Sequence, residues 1–325
     1  MPIEDDLAEI QLRLRHTSHD GLRYTPSCGT KICRGWHLIP SSADNDRSPW
    51  QIRHLIHLAA VTATAKARPT PPVFTRETAL LLHGIPTLYP HRTISLRSPT
   101  PTKMRSLPPV VHQGVRCEQR LRQVWSAQRL PPIEVAGLLV DSLPETAVEI
   151  ALTAPEEEAA IAVSGILRRL SAFDRFDLVG SRAREASARA TLQRLLDTCG
   201  PTNGSRQALQ ILQSADAGCE NPAEAKLHHL LLQLFPEPLV TQCEQWVGRN
   251  RYFIDMALPD RRLAFEFDGM AKLGTTTAEF ERAKREMWDR QRDLQDAGWQ
   301  VVRVRWDEFS DTNRLVGRIL RAAGR

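Results

Sequence analysis

Long apolar runs are missing from this 325-residue sequence. No stretch approaches the roughly 20 apolar residues that a transmembrane helix needs, and the opening Met-Pro-Ile-Glu-Asp-Asp is acidic where a secretory signal is basic. Low-complexity tracts and internal repeats are also missing. These absences predict a cytoplasmic globular protein without membrane contact.

Cysteine is sparse and scattered, and only Cys28 and Cys33 among the six cysteines are close together. No second cysteine pair or His-x-His partner follows them, so a zinc site is not expected. We expect the cysteines to be reduced thiols. The net charge of +5 and the isoelectric point near 9.0 are compatible with a polyanionic partner. A solvated basic surface gives the same balance.

The length favours two or three domains. Residues 1–48 combine a helical pattern with a short strand pair around Gly35 and predict a winged-helix-like unit. Residues 49–200 predict a mixed α/β middle region with a helical second half, and residues 201–220 a linker with one short helix. Residues 221–325 then form a separate domain.

This last domain begins with a strong helix signal. Asn221 caps a helix that opens with Pro222 and has Glu224 at its third position. Two segments after it, 252–258 and 263–268, alternate in the manner of β-strands, and only four residues separate them. The sequence therefore predicts a helix followed by an antiparallel hairpin.

Alternation within this hairpin brings acidic side chains together. It assigns Ile254 and Met256 to one face of the first strand and Asp255 to the other, while Glu266 and Asp268 share a face of the second. Carboxylates inside apolar strands cost several kcal/mol to bury unless a cation neutralises them. A divalent metal between Asp255 and Glu266 is the simplest remedy. Solvent-facing positions on an edge hairpin are the alternative.

A helix, a third strand and a terminal helix complete the prediction. Residues 278–297 form the helix, with Met287 and Trp288 on its buried stripe, and residues 299–306 form the strand before a helical run at 315–320. The expected fold class is α/β (α+β), a mixed sheet flanked by helices.

The order of these elements resembles the restriction-endonuclease-like PD-(D/E)xK superfamily, and residues 222–321 are similar to its very-short-patch-repair (Vsr)-like endonuclease domains. The resemblance is carried by Glu224, Gln242, Asp255, the Glu266-Phe-Asp-Gly269 motif, Arg292 and the strand ending Gly298-Trp-Gln-Val-Val-Arg-Val-Arg-Trp306. Upstream, Cys33-Arg-Gly-Trp-His-Leu-Ile-Pro40 and residues 75–86 are similar to AbiEi-antitoxin-like regions, which implies a winged-helix DNA-binding module.

The resemblance implies a metal-dependent DNA endonuclease. Asp255 and Glu266 would ligate Mg²⁺ or Mn²⁺, Asp268 would complete the metal site, and Glu224 and Lys272 would assist catalysis. Gln242, Lys272 and Arg292 would contact nucleic acid. A protein partner or a homodimer is left open.

The sequence also departs from the family pattern. Asp268 stands where the superfamily usually has Lys, and Lys272 stands where the nearer family often has His, a better general acid with a pKa of about 6.5. Simpler explanations exist for Glu224 as a helix cap, Asp268 as a turn residue, and Lys272 and Arg292 as surface residues. The alternative function is a non-catalytic DNA-binding or antitoxin-type regulator with a degenerate nuclease domain. A pure interaction protein is the third hypothesis.

Overall fold

The computed structural model describes residues 3–17, 29–90, 92–100, 103–125, 127–268 and 277–324, the last range with side chains from residue 285 onward. The chain divides into a first unit, Met1–Ala154 with Leu192–Ala208, and a second unit, Pro155–Thr191 with Leu209–Arg325. Helices and mixed sheets occur together, so the predicted α/β class is confirmed. Within the described ranges, no helix has the length and apolar character required to cross a bilayer.

The first unit contains three sheets and a set of packed helices. Its helices are α1 (Ile3–Arg13), α2 (Pro49–Lys66), α3 (Arg76–Leu82) and α4 (Leu143–Thr153). Its strands are β1 (Leu14–His16), β2 (Thr30–Cys33), β3 (Trp36–Leu38), β4 (Val73–Phe74), β5 (Thr93–Arg97), β6 (Arg105–Ser106), β7 (Val110–His112), β8 (Val115–Cys117), β9 (Arg120–Val124), β10 (Ile133–Val135) and β11 (Leu138–Val140). The strand orders are β1-β3-β2, β10-β11-β4-β5-β9-β6 and β7-β8.

One apolar core runs through most of the first unit. It extends from Leu7 and Ile10 of α1 through α2 to Val140 of β11. The helix and the strand pair around Gly35 expected within residues 1–48 are present, β1 adds an unexpected third strand, and these elements share the core with the middle region. The reason is that α2 is apolar nearly all round and buries residues against both parts.

The remaining elements lead into and form the second unit. The helices are α5 (Glu156–Ser171), α6 (Leu178–Asp197), α7 (Ser205–Ser214), α8 (Pro222–Leu234), α9 (Thr277–Asp296) and α10 (Thr312–Ala322). The strands are β12 (Val240–Val247), β13 (Asn250–Leu258), β14 (Leu263–Asp268) and β15 (Gln300–Arg305). They form one sheet in this order, with β14 and β15 parallel and the other pairs antiparallel.

The predicted linker at residues 201–220 packs closely against the first unit at Gly204. Gly204 has a φ of +87°, and a Cβ there would overlap the carbonyl oxygen of Leu152. Gly is therefore required by both backbone conformation and space. The boundary between units also differs from the predicted one at residue 200, because residues 155–191 belong with the C-terminal sheet.

Two apolar clusters cover the faces of the C-terminal sheet. Phe265 and Val302 pack with residues of α8 and α10 on one face, and Ala264 packs with Leu294 of α9 on the other. The helix start at Asn221 and the β13–β14 pairing confirm the sequence-based prediction. Strand β12 was not expected, because its buried residues do not alternate.

Candidate functional site

The predicted alternation fails at Asp255. Ile254 belongs to the cluster on the α9 face, whereas Met256 belongs to the opposite cluster, although both were expected on one face. The neighbouring strand has Gln242 in the left-handed region, with φ +50°, between the pairs Thr241↔Met256 and Cys243↔Ile254. Such a local irregularity re-aims side chains along a strand, as a β-bulge does.

Asp255 lies against the next strand. Its Oδ2 accepts a hydrogen bond from the backbone N–H of Phe267 at 2.9 Å. The regular β13–β14 pairing ends at Met256↔Phe265, next to Asp255 and Glu266. The hydrogen bond therefore brings Asp255 to the strand that carries Glu266, and the shared face predicted for the two carboxylates stays a prediction.

Glu266 is enclosed by two arginines on the α9 face of the sheet. Its Oε1 lies 2.5 Å from Nη2 of Arg290 on α9, and its Oε2 lies 3.6 Å from Nη2 of Arg303. Arg303 stands beside Glu266 because β14 and β15 pair in parallel at these residues. Arg290 also donates to the carbonyl oxygen of Phe253 at 2.6 Å. Guanidinium groups thus provide the compensating positive charge for this carboxylate.

These donors do not fit a resident metal ion as they are arranged. Among the described residues, no group of three or more His, Cys, Asp or Glu side chains converges to hold one, and this includes Asp255, Glu266 and Asp268. Both Glu266 oxygens face arginine, and one Asp255 oxygen accepts a backbone N–H. Hard divalent cations need several oxygen ligands, so binding of Mg²⁺ or Mn²⁺ here would require these contacts to be exchanged, and the metal site stays a prediction.

Asp268 ends β14 and is half-buried, next to Arg305 in the parallel pairing. Gly269 and Lys272 lie outside the described residues, so the roles predicted for Lys272 stay predictions. The turn role suggested for Asp268 depends on the same region.

Glu224 acts in helix capping. Its Oε2 accepts from the backbone N–H of Glu220 at 2.7 Å, and its Oε1 accepts from the side-chain amide of Asn221 at 2.5 Å. Asn221 in turn accepts from the backbone N–H groups of Ala223 and Glu224. The simpler of the two sequence explanations therefore accounts for these contacts.

The residues predicted to contact nucleic acid differ in access. Gln242 is buried, which keeps its amide away from any macromolecular ligand. Arg292 is 69% exposed and pairs with Asp289 at 3.0 Å on the helix surface. Such a pair is weak and exchangeable, so Arg292 is free to meet a ligand. Trp288, expected on the buried stripe of α9, is 66% exposed.

A second polar cluster lies under the irregular part of β12. Asp216 accepts hydrogen bonds from Thr241 Oγ1 at 2.6 Å and from Arg182 at 2.9 Å. Burial raises the pKa of Asp216, but the charges of Arg182 and His228 and these hydrogen bonds bring it below its usual value. Burial lowers the pKa of His228, which Asp216 partly opposes. The side chains of Arg182 and Asp216 are 35% and 18% exposed, and these hydrogen bonds tie Asp216 to the strand.

Sequence reasoning missed Arg290 and Arg303. Arg290 was missed because a charged residue on a polar helix is expected to be exposed on the surface. Arg303 offered a signal, since it alternates with the buried Val302 and Val304 and so points to the same face as Glu266.

Comparison with known proteins assigns no family. No protein-family model and no curated protein matches the chain. A crystal structure of a candidate nucleotidyltransferase from H. pylori is 14% identical and covers 60% of this chain and 98% of its own, with a TM-score of 0.19. This likeness is too small to carry an argument about fold or function.

Proposed function

We propose that this chain is a non-catalytic nucleic-acid-binding protein, of the antitoxin-like regulatory type, whose C-terminal unit keeps a nuclease-like fold without a working metal site. The observation that carries this proposal is the pairing of both Glu266 oxygens with Arg290 and Arg303. An acidic site that ligates a metal needs those oxygens free. The predicted DNA partner and cytoplasmic location belong to this proposal.

The charge distribution supports nucleic-acid binding. The first unit carries 20 Lys and Arg against 14 Asp and Glu, whereas the second carries 23 against 24. The positive excess of the chain is therefore concentrated in the first unit. A basic unit attracts the phosphate backbone without reading sequence, and its binding weakens steeply as salt rises.

The test measures binding and cutting together. Fluorescence anisotropy of labelled duplex and single-stranded DNA over a salt series should show binding that weakens with salt. Supercoiled plasmid should stay intact with Mg²⁺ or Mn²⁺. Salt-independent signals or no binding at all would leave only a protein-interaction role.

A metal-dependent endonuclease is the second candidate. Its support is the approach of Asp255 to the strand of Glu266, the arrangement that the resemblance implies. It requires Arg290 to leave Glu266. A calorimetric Mn²⁺ titration of the wild type beside Asp255→Asn separates the candidates, because specific uptake that Asp255→Asn removes supports the enzyme. Plasmid nicking that Glu266→Gln abolishes would replace the regulatory proposal.

A further inference from the structure

A cavity of about 390 Å³ opens in the first unit, between α1, α2 and the segment that follows α3. Its floor is apolar and includes Leu55, Leu58, Leu81 and Ile85, all at most 5% exposed. The volume falls within the range of about 300–1,000 Å³ that is usual for small-molecule sites. The floor fits a flat apolar group.

Two exposed aromatic side chains line the cavity. Trp50 in the first turn of α2 is 54% exposed, and Tyr89 is 60% exposed. The ring of His54 is stacked on Trp50, with centroids 5.7 Å apart and planes 9° from parallel. His54 also contacts Asp6 at 3.3 Å, which holds the imidazole in place. The indole is thus supported on one side by a fixed ring, as in a stacking platform.

Exposed arginines lie on α2, next to β5, and on β6 and β9 of the same unit. Arg53 lines the cavity, and its charge and that of Arg92 both act on the thiol of Cys117. The backbone N–H of Arg120 donates a hydrogen bond of 2.8 Å to the carbonyl oxygen of Arg92. Arg105 of β6 lies on the edge strand that pairs with β9. Arg53, Arg92, Arg105 and Arg120 are together called the arginine row below.

The row is not neutralised by neighbours. Within the described part of the chain, Arg53, Arg92, Arg105 and Arg120 are exposed and form no ion pair. Arg116, on the neighbouring β8, does pair, with Glu118. Exposed guanidinium groups without carboxylate partners fit a chain of phosphates.

We infer that the cavity receives a base of single-stranded nucleic acid, which stacks on Trp50, while the arginine row contacts the phosphates that follow. This rests on the proposed nucleic-acid binding and specifies its substrate class and site. A single strand fits because only unpaired bases can leave the stack to enter a cavity. A row of several arginines fits a polymer better than a mononucleotide.

The test is anisotropy of a short labelled oligodeoxynucleotide with the full chain. Trp50→Ala should weaken binding roughly 5- to 150-fold, the effect expected for one stacked base. Trp50→Phe keeps an aromatic face and should retain most of the affinity. Trp125→Ala is the matched control, since Trp125 is 64% exposed in the same unit and does not line the cavity. Arg92→Ala should reduce the salt slope by about 1.

Each other result has a defined meaning. Equal losses for Trp50→Ala and Trp125→Ala would overturn the inference, as would a mononucleotide that binds as tightly as the strand. Duplex binding that is salt-sensitive and indifferent to Trp50→Ala would overturn this site while leaving the proposed function intact. If Trp50→Ala fails to fold, Trp50→Phe provides the test. A loss of affinity for Trp50→Phe as large as the loss for Arg92→Ala contradicts stacking.

Discussion

Both units neutralise strand-associated carboxylates with arginine, but at different depths. In the first unit, Nε and Nη2 of Arg97 bind the two oxygens of Asp141 at 2.7 and 2.8 Å, and Nη2 also binds Glu145 at 2.7 Å. The side chain of Arg97 is 9% exposed, and those of Asp141 and Glu145 are 0% exposed. Burial raises the pKa of Glu145, which Arg129 and Arg97 oppose.

In the second unit the corresponding cluster is more open. Glu266 is 11% exposed at its side chain, but Arg290 is 32% exposed and Arg303 is 19% exposed. The buried Nε–H groups of both arginines have no acceptor among the described residues. In the first cluster, Oε2 of Glu145 likewise has no hydrogen-bond partner among the described residues. The two clusters therefore differ in depth: the first is closed to solvent, whereas the second is accessible to an exchanging partner. Depth, not residue type, separates a structural ion pair from a candidate site.

The largest expected effect is in the closed cluster. Arg97→Met leaves Asp141 buried without the arginine that binds both its oxygens, removes one of two arginines at Glu145, and should cost about 3–5 kcal/mol of unfolding free energy. Urea denaturation measures it. Arg116→Met is the control, because its exposed pair with Glu118 should contribute about 0–1 kcal/mol. Equal losses of unfolding free energy for the two substitutions would contradict the idea that burial depth decides how much an ion pair contributes.

A smaller loss is expected in the open cluster. Arg290→Met removes charged hydrogen bonds to Glu266 and Phe253 and should cost about 1.5–3 kcal/mol. The same variant frees an oxygen of Glu266, so calorimetry should detect tighter Mn²⁺ binding than in the wild type. Arg292→Met, two residues along α9, should change neither quantity. A loss as great as that of Arg97→Met would show that this cluster too is structural.

The smallest effect concerns pH and the second unit alone. Burial lowers the pKa of His228 below its ordinary value of 6.5. Between pH 6.5 and this lower folded-state pKa, the unfolded chain therefore binds more protons than the folded state. Stability is full above about pH 6.5 and falls as the pH drops toward the folded-state pKa. Melting curves should show this loss for the wild type and less of it for His228→Gln. The charge of His229 also lowers the pKa of His228, so His229→Gln should reduce the loss in part, and a flat wild-type profile contradicts the argument.

Local signals in the sequence identified much of the C-terminal sheet. Asn221 and Pro222 fix the start of α8 through capping, and the short connection at residues 259–262 fixes the β13–β14 pairing. The face predicted for Ile254 was wrong. The cause is the left-handed backbone of Gln242, which belongs to β12, a strand whose burial pattern does not alternate and which was therefore not predicted. An irregularity of this kind depends on the partner strand, which local sequence does not contain.

The sequence by itself determined the start of α8 and the β13–β14 hairpin, since each depends on neighbours a few residues apart. Only the tertiary structure decided that Arg290 and Arg303, 24 and 37 positions from Glu266, supply its counter-charge. It also decided that Trp50 and Tyr89 border one cavity. The physical reason is the same in both cases: electrostatic and stacking contacts act through space, and the chain must fold before distant residues come within reach of each other.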